Sequence, residues 1–477
     1  MTRILALALA AVLLGPWAAR ASPTPVALVP CAIRWASEIV KCARVSVPED
    51  WRRPAGRRLP LKVIVMPMTG PGPEQAPMIW LDGGPGIAGT NSAALYAGEL
   101  KFHRARRAVI LFDQRGTGAS APLHCPALER RSALESMYPP DLVAGCRRAL
   151  EPRADLAQYT TLAAARDLDA IRAALGYSKV DLAGLSYGTM LAQAYMKLYP
   201  ARVRAAALIG TVPLGEKLPL HHAANGEAAL RLLFADCRAE PSCARAWPRL
   251  AGDWTLAMTR LALFPAAVTT PDGRSVMLRA GPFGEAVRSM LSAEPSRQRA
   301  PMVIARAAQG DFTPLLEVEG AGGPQLIAGG LYLSVACPEG TRRISSAEEA
   351  RAVAGTSFGR YRVDQQIQAC REWAPGRADP DLLTPLKSDI PVLLLAGGRD
   401  AAAPVAWARR VAAGLPRGRV VVIPAMTHLP IGLSNMVCLD RMMDAFFARG
   451  SAAGLDTSCV ATVTAPPFVI GATAGAR

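Results

Sequence analysis

The stretch DLAGLSYGTMLAQAY, residues 181–195, contains a serine that lies between two glycines where two hydrophobic patterns meet. The residues before Ser186 form a short apolar run typical of a buried strand, and those after it repeat apolar side chains at helical spacing. Gly184 and Gly188 complete a G-x-S-x-G pattern. A turn this tight leaves no room for side chains at the two glycines. The stretch therefore predicts a strand, a strained turn that projects the Ser186 hydroxyl, and a helix whose first amides point at it.

Short apolar runs and helical patterns alternate through the first 213 residues, which favours an α/β fold with a mostly parallel sheet. From about residue 214 to residue 386 the pattern is mostly helical, with several Pro and Gly interruptions. Strand patterns then return, so one sheet is predicted to be interrupted by a long insertion. The predicted strands lie within residues 58–67, 76–86, 107–118, 178–186, 203–213, 390–400 and 419–428.

The N-terminal residues 1–21 have the features of a secretory signal peptide. Arg3 supplies the positive charge, residues 4–15 form the apolar segment, and Ala19-Arg20-Ala21 is a small-x-small cleavage site. The apolar segment is too short to span a bilayer comfortably. We expect an exported protein, periplasmic or secreted, with no stable membrane insertion after signal cleavage. An uncleaved membrane anchor is the alternative.

The signal peptide and the insertion divide the chain into four predicted segments. The C-terminal residues after Cys459 are low in charge, and the letters FVI at 468–470 could form a strand. The segments are the signal peptide (1–21), the first part of the α/β core (22–213), an inserted helical segment (214–386) and the second part of the core (387–477).

The ten cysteines fall into five successive couples along the chain, which fits an oxidising compartment where disulfides are the default. The simplest connectivity joins neighbours, although sequence alone leaves other connectivities open. A zinc site is disfavoured, because no couple has C-x-x-C spacing and the chain has five histidines. The couples are Cys31 with Cys42, Cys125 with Cys146, Cys237 with Cys243, Cys337 with Cys370, and Cys438 with Cys459.

The formal net charge of +16 raises the question of nucleic-acid binding. Most of the positive charge is arginine scattered through the chain, and no basic cluster is interleaved with aromatic residues as a nucleic-acid groove requires. The densest run, RRPAGRR at 52–58, reads as a solvated loop. We therefore expect no nucleic-acid partner.

A serine hydroxyl needs a base to become a nucleophile, and two residues after later strands can supply the base and its acid. Asp400 ends the strand pattern 390–400, and His428 follows the last strand pattern. Serine, acid and histidine follow one another along the chain in this order when a serine elbow opens a catalytic triad. Taken singly, Asp400 could cap a helix and His428 could lie in a surface loop. Together with Ser186 they predict a catalytic triad on an α/β-hydrolase fold.

A glycine-rich turn, DGGPG at 82–86, follows an early strand pattern. In an α/β-hydrolase this turn supplies one oxyanion amide, and the residue after the nucleophile supplies the other. Gly84 and Tyr187 are therefore the predicted oxyanion hole. An ordinary turn between a strand and a helix is the alternative reading of the same residues.

The motifs WLDGGPG, FDQRGTG, GLSYGTMLAQAY, LLLAGGRD and MTH occur in this order. With CARVSVPEDW near the start and CREWAPG before the late strands, the chain resembles the exported tripeptidyl-aminopeptidase-like branch of the proline iminopeptidase family. The resemblance implies a triad of Ser186, Asp400 and His428. It also implies a helical lid inserted after the sixth strand, which corresponds to the insertion 214–386. Asp113 and Arg115 are implied to be structural residues of the loop beside the oxyanion turn.

Aminopeptidases of this type hold the free α-ammonium of the substrate with acidic residues near the lid. The segment LYLSVACPEG, residues 331–340, resembles the part of the family that carries such an acid, and it implies Glu339 as a substrate-binding residue. A buried ammonium group needs a carboxylate partner. A solvent-facing glutamate in a turn is the alternative. Gly340 stands where relatives often have a second acid.

These predictions describe an exported serine hydrolase that needs no metal or organic cofactor. The first expectation is an aminopeptidase that releases N-terminal residues or short peptides through an acyl-enzyme. The alternative is an esterase or amidase that uses the same triad on small molecules. A binding protein with a decayed active site is a third reading, which the complete set of triad residues disfavours. The sequence leaves the oligomeric state and the preferred substrate residue undetermined.

Overall fold

The computed structural model describes residues 25–33, 36–321, 327–373 and 376–471. The predicted signal peptide lies outside these ranges. The strands are β1 (Val29–Ala32), β2 (Ile39–Pro48), β3 (Arg58–Met66), β4 (Met78–Leu81), β5 (Val109–Phe112), β6 (Val180–Leu185), β7 (Val203–Ile209), β8 (Ala266–Thr269), β9 (Ser275–Leu278), β10 (Val392–Gly397) and β11 (Gly418–Ile423).

Nine strands of the described ranges form one sheet in the order β1-β2-β3-β5-β4-β6-β7-β10-β11. The six strands from β5 to β11 are parallel to their neighbours, whereas β1, β2 and β3 form an antiparallel edge. Strands β5 and β10 are buried at every residue. Continuous apolar runs of this kind are typical of parallel strands covered on both faces. The predicted α/β-hydrolase fold with a mostly parallel sheet is therefore confirmed.

Helices connect the strands and also build the insertion. Short 3-10 helices lie at Gly89–Ser92, Lys101–Arg104, Leu156–Gln158, Pro200–Arg202, Thr341–Arg343, Pro380–Leu383 and Ser458–Thr462. The α-helices are α1 (Ala93–Ala97), α2 (Pro126–Glu129), α3 (Pro140–Leu150), α4 (Thr161–Ala174), α5 (Tyr187–Leu198), α6 (His222–Ala239), α7 (Pro241–Ala246), α8 (Leu250–Leu263), α9 (Ala280–Met290), α10 (Glu294–Arg297), α11 (Ala300–Ala308), α12 (Thr313–Ala321), α13 (Gly329–Glu339), α14 (Ser346–Val353), α15 (Tyr361–Glu372), α16 (Val405–Ala412) and α17 (Val437–Arg449).

Two apolar clusters cover the two faces of the sheet. On one face, α4, α5 and α16 pack against the strands through side chains such as Leu168, Leu191 and Val411. On the other face, α1 and α17 contribute Tyr96 and Phe446. The sheet is therefore sandwiched between two helical layers, and its parallel strands end at one common edge.

The insertion leaves the sheet after β7 and the chain returns to the sheet at β10. It follows the seventh strand along the chain and not the sixth, because β1 adds an antiparallel strand at the sheet edge. Its helices α6, α8, α9 and α11 enclose a separate apolar cluster around Phe283 and Leu233. The insertion also contains the antiparallel hairpin β8–β9, which the helical pattern of the sequence did not predict. We keep the name lid for residues 214–386.

Five disulfides join neighbouring cysteines along the chain, as the simplest connectivity predicted. Each bond closes a loop within one region of the fold, from 6 to 33 residues apart in sequence. No described cysteine is free. The pairs are Cys31–Cys42, Cys125–Cys146, Cys237–Cys243, Cys337–Cys370 and Cys438–Cys459.

The C-terminal segment packs onto the lid without forming the strand that the letters FVI suggested. Phe468 is buried in the apolar cluster of the lid, and its amide donates to the Glu240 carboxylate. The Val469 amide donates to the Gln298 carbonyl, with 3.0 Å between the two atoms. Cys459 anchors the start of this segment to α17 through Cys438.

Across the described ranges, no helix combines the length and the apolarity needed to cross a membrane.

Candidate active site

Ser186 lies at the junction of β6 and α5 in a backbone conformation that a non-glycine residue rarely adopts, with φ of 55° and ψ of −121°. A Cβ at Gly184 would lie 2.7 Å from the Gly188 carbonyl oxygen, and a Cβ at Gly188 would lie 2.7 Å from the Leu81 carbonyl carbon. Both glycines are therefore required by close backbone approach. The strained turn directs the serine side chain away from the strand, as in a nucleophile elbow.

His428 and Asp400 follow β11 and β10 and meet Ser186 at the same edge of the sheet. The His428 Nε2 atom lies 2.9 Å from the Ser186 Oγ atom, and His428 Nδ1 lies 2.9 Å from Asp400 Oδ2. The other Asp400 oxygen accepts the amides of Ala402 and Ala403, each at 2.7 Å. The structure thus brings together the three residues of the predicted triad and fixes the carboxylate with two backbone donors.

Gly210 makes room for this arrangement, although the sequence analysis did not single it out. It follows β7 with a positive φ of 58°, and a Cβ there would lie 3.1 Å from the His428 ring and 3.5 Å from Asp400 Oδ2. Its own amide donates to the Leu395 carbonyl. A glycine directly after a buried strand, in LIGTVP, was the available indication, but only the folded chain brings it to the histidine.

The glycine-rich turn after β4 lies directly against the serine. A Cβ at Gly83 would lie 3.1 Å from the Ser186 Cβ atom and 3.7 Å from its Oγ atom. Gly84 has a φ of 110°, which favours glycine, and Tyr187 is the first residue of α5. The first amides of a helix have no acceptor four residues earlier in the chain. The two predicted oxyanion residues therefore flank the nucleophile, and Gly83 is a further close neighbour that the sequence analysis missed.

Asp82 begins this turn and is buried. Burial raises the pKa of its carboxyl group to about 6, against the opposing hydrogen bonds from Ser92 and Trp80. The Ser92 hydroxyl donates to Asp82 Oδ2 at 2.9 Å. Asp82 thus connects the turn to the residues before α1 and is a structural part of the loop.

Asp113 and Arg115 follow β5, and their contacts are those of structural residues. Asp113 accepts the amide and hydroxyl of Thr90 and the amide of Ala119. Arg115 is buried and donates to both oxygens of Asp167 in α4, at 2.7 and 2.6 Å. Asp113 therefore holds the loop beside the oxyanion turn, whereas Arg115 ties that loop to α4.

Glu339 ends α13 and lies behind Tyr187, where it makes no hydrogen bond to the triad. Its two oxygens accept the Thr161 amide at 2.7 Å and the Thr161 hydroxyl at 2.6 Å. The Thr161 hydroxyl also lies 2.9 Å from the Tyr187 hydroxyl. Burial raises the pKa of Glu339 to about 7, and the bonds from Thr161 oppose that rise. The adjoining cavity measures about 10 Å³, the size of a single water site.

Three segments of the lid are hydrogen-bonded to three loops of the site. In α6, the Asn225 side chain donates to the carbonyl of Ala402, two residues after Asp400. The carbonyl of Ser292, just after α9, accepts the amide of Leu429, the residue after His428. At the start of α13, the amide of Ala328 donates to the carbonyl of Gly86 in the glycine-rich turn. The lid is therefore hydrogen-bonded to the Asp400 loop, the His428 loop and the glycine-rich turn.

Two family models match the chain, in keeping with this geometry. Residues 76–238 match a family described as the alpha/beta hydrolase fold, and this range contains the glycine-rich turn and Ser186. Residues 354–459 match a family described as TAP-like protein, and this range contains Asp400 and His428. The second match begins inside the lid, earlier than the predicted second part of the core.

Three curated relatives share about a third of their aligned residues with this chain. The chain is 34% identical over 212 residues to the tripeptidyl aminopeptidase of Streptomyces lividans, covering 39% of this chain and 38% of that protein. It is 31% identical over 221 residues to serine protease Hip1 of Mycobacterium tuberculosis, covering 42% of each. It is 31% identical over 226 residues to carboxylesterase B of Mycobacterium tuberculosis, covering 43% of this chain and 42% of that protein.

The aligned part thus spans about two fifths of the length of these relatives, from 38% to 42%. The sheet order, the strained serine turn and the two family matches agree with the resemblance found in the sequence. The chain has an α/β-hydrolase fold, and its C-terminal region, residues 354–459, is TAP-like.

Proposed function

We propose that this protein is a serine peptidase that acts on short peptides through an acyl-enzyme. The observation that carries the proposal is the unbroken hydrogen-bonded series from Ser186 through His428 to Asp400, with 2.9 Å at both steps. His428 Nε2 takes the proton of the Ser186 hydroxyl as the oxygen attacks the scissile carbonyl. Asp400 keeps the proton of the ring on Nδ1 and stabilises the imidazolium that forms.

The negative charge of the tetrahedral intermediate develops beside the glycine-rich turn and the start of α5. We assign the amides of Gly84 and Tyr187 as the donors that stabilise it, since both residues flank Ser186. Loss of one such donor typically costs about 10²–10³ in rate. The amine then leaves with the proton held by His428, and water hydrolyses the acyl-enzyme with His428 as the base.

The lid and the relatives support a short peptide as the substrate. The lid is bonded to the Asp400, His428 and Gly86 loops, and a lid held this close to the site favours short peptides over folded proteins. The names of two relatives describe a tripeptidyl aminopeptidase and a serine protease. We therefore propose that the enzyme releases residues from the N-terminus of short peptides.

An esterase is the second candidate, and the similarity to carboxylesterase B favours it. The same triad and oxyanion amides serve ester and amide carbonyls alike. The two candidates differ in whether a free amine on the substrate is required.

The contacts of Glu339 favour a positioning role over the ammonium-binding role implied by the family resemblance, which stays a prediction. Both of its oxygens already accept Thr161, and the adjoining cavity is too small for an aminoacyl group. Thr161 in turn contacts the Tyr187 hydroxyl. We infer that Glu339 fixes Tyr187, and through it the first amide of α5.

Export is supported by the disulfides, because five bonds of this kind persist in oxidising compartments. We therefore propose that the protein works outside the cytoplasm. The predicted signal peptide at 1–21 is the part of this proposal that rests on sequence alone.

The experiment that tests the proposed function compares hydrolysis by the oxidised protein and by Ser186→Ala. Chromogenic aminoacyl and tripeptidyl amides with a free amine, their N-blocked forms and a short-chain nitrophenyl ester are offered side by side. We expect cleavage of the free-amine amides and a loss of about 10⁵–10⁶-fold in kcat/KM in the variant. Cleavage of the ester alone would replace the peptidase by the esterase, and undiminished activity of Ser186→Ala would refute the triad.

A further inference from the structure

The lid carries a group of largely buried titratable side chains, near the triad histidine, that the proposed mechanism does not use. Its members come from α6, α9 and α15, and we call it the roof cluster: His222, Glu285, Arg288 and Arg362. Helix α6 is bonded to the Asp400 loop, and the segment just after α9 is bonded to the His428 loop. His222, Glu285 and Arg288 therefore lie on α6 and α9, the helices of the lid that are bonded to, or lead directly into, the contacts with the Asp400 and His428 loops.

Direct contacts hold the roof cluster together. Arg288 donates to both oxygens of Glu285, at 2.9 Å from Nε and 2.6 Å from Nη2. Arg362 Nε lies 3.6 Å from the same carboxylate, and its Nη2 donates to the Tyr332 hydroxyl at 2.7 Å. The side chains of Arg288, Glu285 and Arg362 are 11%, 13% and 11% exposed. Bidentate pairing of this kind fixes the orientation of the Arg288 guanidinium group.

Helix α6 packs directly on Arg288. A Cβ at Gly226 would lie 2.9 Å from the Arg288 Cγ atom and 3.1 Å from its Cδ atom. His222 lies one helical turn before Gly226, on the same face of α6. The His222 Nδ1 atom is buried, and within the part of the chain that the structure describes it has no hydrogen-bond partner. Burial, with Arg288, Arg362 and His428 as further causes, holds the pKa of His222 well below its usual value, so its ring is neutral.

The charges of the roof cluster do not cancel. Among the described residues, Glu285 is the one carboxylate that pairs with either arginine, so two positive charges face one negative charge. The aromatic side chains against Arg362 are Tyr138, whose ring lies under the guanidinium group, and Tyr332, whose hydroxyl accepts from Nη2. A buried positive charge without a counterion is costly, and an anionic ligand relieves that cost.

An arginine side chain has five N–H donors. Arg362 donates from Nη1 to Gln366 and from Nη2 to Tyr332. Arg288 uses Nε and Nη2 on Glu285, and in the described ranges its Nη1 atom has no hydrogen-bond partner. Both N–H groups of Arg288 Nη1 are therefore open to a ligand, on a side chain whose orientation Glu285 has already fixed.

We propose that Arg288 binds a carboxylate group of the substrate, with Glu285 holding the Arg288 guanidinium group in place and Arg362 contacting the same Glu285 carboxylate. This inference rests on the proposed function and narrows its substrate class to short peptides that carry a carboxylate near the scissile bond. The carboxylate is the free C-terminus of the peptide or an acidic side chain, and both present the same two oxygens to Arg288.

The test measures kcat/KM on one short peptide in three forms, which are the free acid, the C-terminal amide, and the amide with an acidic residue beside the scissile bond. Because the lost contact is a charge-assisted hydrogen bond, wild type should prefer a carboxylate-bearing form over the neutral amide by about 10- to 100-fold. The preferred form identifies the source of the carboxylate.

The variant Arg288→Gln should bring the ratio of acid to neutral amide close to 1, mainly through a higher KM for the acid. Arg288→Lys, which keeps the charge without the planar fork, should retain part of the preference. The matched control is Arg231→Gln on the exposed side of α6, where the side chain is 69% exposed and pairs with Glu227, and the ratio should not change.

Equal hydrolysis of acid and amide by wild type would overturn the proposal while leaving the peptidase intact. A uniform loss on all three peptides in Arg288→Gln, with a lower melting temperature, would show that Arg288 only supports the lid and would also overturn it. If no peptide is cleaved but esters are, the peptidase fails separately. The same ratio is then measured on a half-ester of a dicarboxylic acid against a neutral ester, where a ratio of 1 in wild type would overturn the carboxylate site.

Discussion

The core and the lid hold their polar groups in different ways. In the core, Asp400 is fixed by two backbone amides, and Ser186 is fixed by a turn whose glycines touch neighbouring carbonyl groups. In the lid, Glu285 and Arg288 are fixed by each other and by neighbouring side chains. Backbone contacts are set by the fold and survive most side-chain substitutions, whereas a side-chain ion pair is lost when either partner is substituted.

From this difference we infer separate roles for the core and the lid. The core supplies a rigid arrangement that can attack any suitable carbonyl, and it needs only the sheet edge to do so. We propose that the lid supplies the charge and shape that select the substrate. Substitutions in the core should therefore abolish turnover or folding, while those in the lid should change selectivity.

We expect the largest effect on activity from Asp400→Asn in the core. The amide oxygen can still accept Ala402 and Ala403, but its NH₂ group then faces His428 Nδ1. That nitrogen must become an acceptor, so the proton moves to Nε2 and the ring can no longer take the serine proton. We expect kcat to fall about 10⁴-fold with an unchanged melting temperature.

The matched control for this substitution is Asp389→Asn, at an exposed residue shortly before β10, which should keep full activity. Steady-state kinetics on the peptide substrate measure both variants. If Asp400→Asn kept more than a tenth of the wild-type kcat, the assignment of Asp400 as the acid of the triad would be contradicted.

The second prediction compares one helix glycine from each region. Gly188→Ala places a Cβ against the carbonyl group of Leu81 in β4, and neither backbone can move without disturbing the sheet. We expect a loss of about 3 kcal/mol or more in the free energy of unfolding. Gly284→Ala in α9 meets nothing nearer than the Met258 Cε atom at 3.4 Å. There we expect a gain of about 0.5–1 kcal/mol from helix propensity.

Denaturant unfolding of both alanine variants measures this difference. If Gly188→Ala were as stable as the wild type, the close approach of β4 to α5 would be refuted. A large loss in Gly284→Ala would show that the lid is packed as tightly against its backbone as the core.

The third prediction concerns Glu339, where the lid meets the core. Burial raises its pKa from 4.5 to about 7 in the folded protein. Between pH 4.5 and pH 7 the unfolded chain therefore loses this proton while the folded chain keeps it. The free energy of unfolding falls as the pH rises through this window, by up to about 3 kcal/mol, and Glu339→Gln removes that dependence.

Denaturant unfolding at pH 4.5, 5.5 and 7 tests this pH dependence against a second variant of the lid, Glu348→Gln. The hydrogen bond from Lys217, with those from Ser345, lowers the pKa of Glu348 to about 2. Its contribution is lost only as the pH falls from about 4.5 toward 2, so this variant should parallel wild type between pH 4.5 and 7. Parallel curves for Glu339→Gln and wild type would contradict the buried carboxyl group.

Much of the core was predictable because its requirements are local. The pattern around Ser186 joins an apolar run to a helical period across two glycines, and each part has a distinct sequence pattern. Asp400 and His428 could be found because parallel strands end at one edge of the sheet. The neighbouring cysteine couples could be paired because short loops bring them together.

The side-chain contacts of the lid could not be predicted from the sequence, because they join residues far apart in the chain. Arg288 and Arg362 are ordinary arginines in helical patterns, and only packing places them on one carboxylate. The same holds for Phe468, whose apolar letters suggested a strand but whose ring completes the lid cluster. Glu339 was singled out for its resemblance to an acid of the family, yet its bonds to Thr161 depend on how α13 meets α4.

The local residue pattern was enough to predict the fold class, the candidate nucleophile and the chain order of its partners, since spacing and side-chain size impose them. Which side chains meet around the candidate site depends on the folded chain. The tertiary structure brought Gly210 against His428, enclosed Glu339 behind Tyr187 and left Nη1 of Arg288 without a partner. The physical reason is that burial and charge balance depend on neighbours in space, which no local pattern of residues specifies.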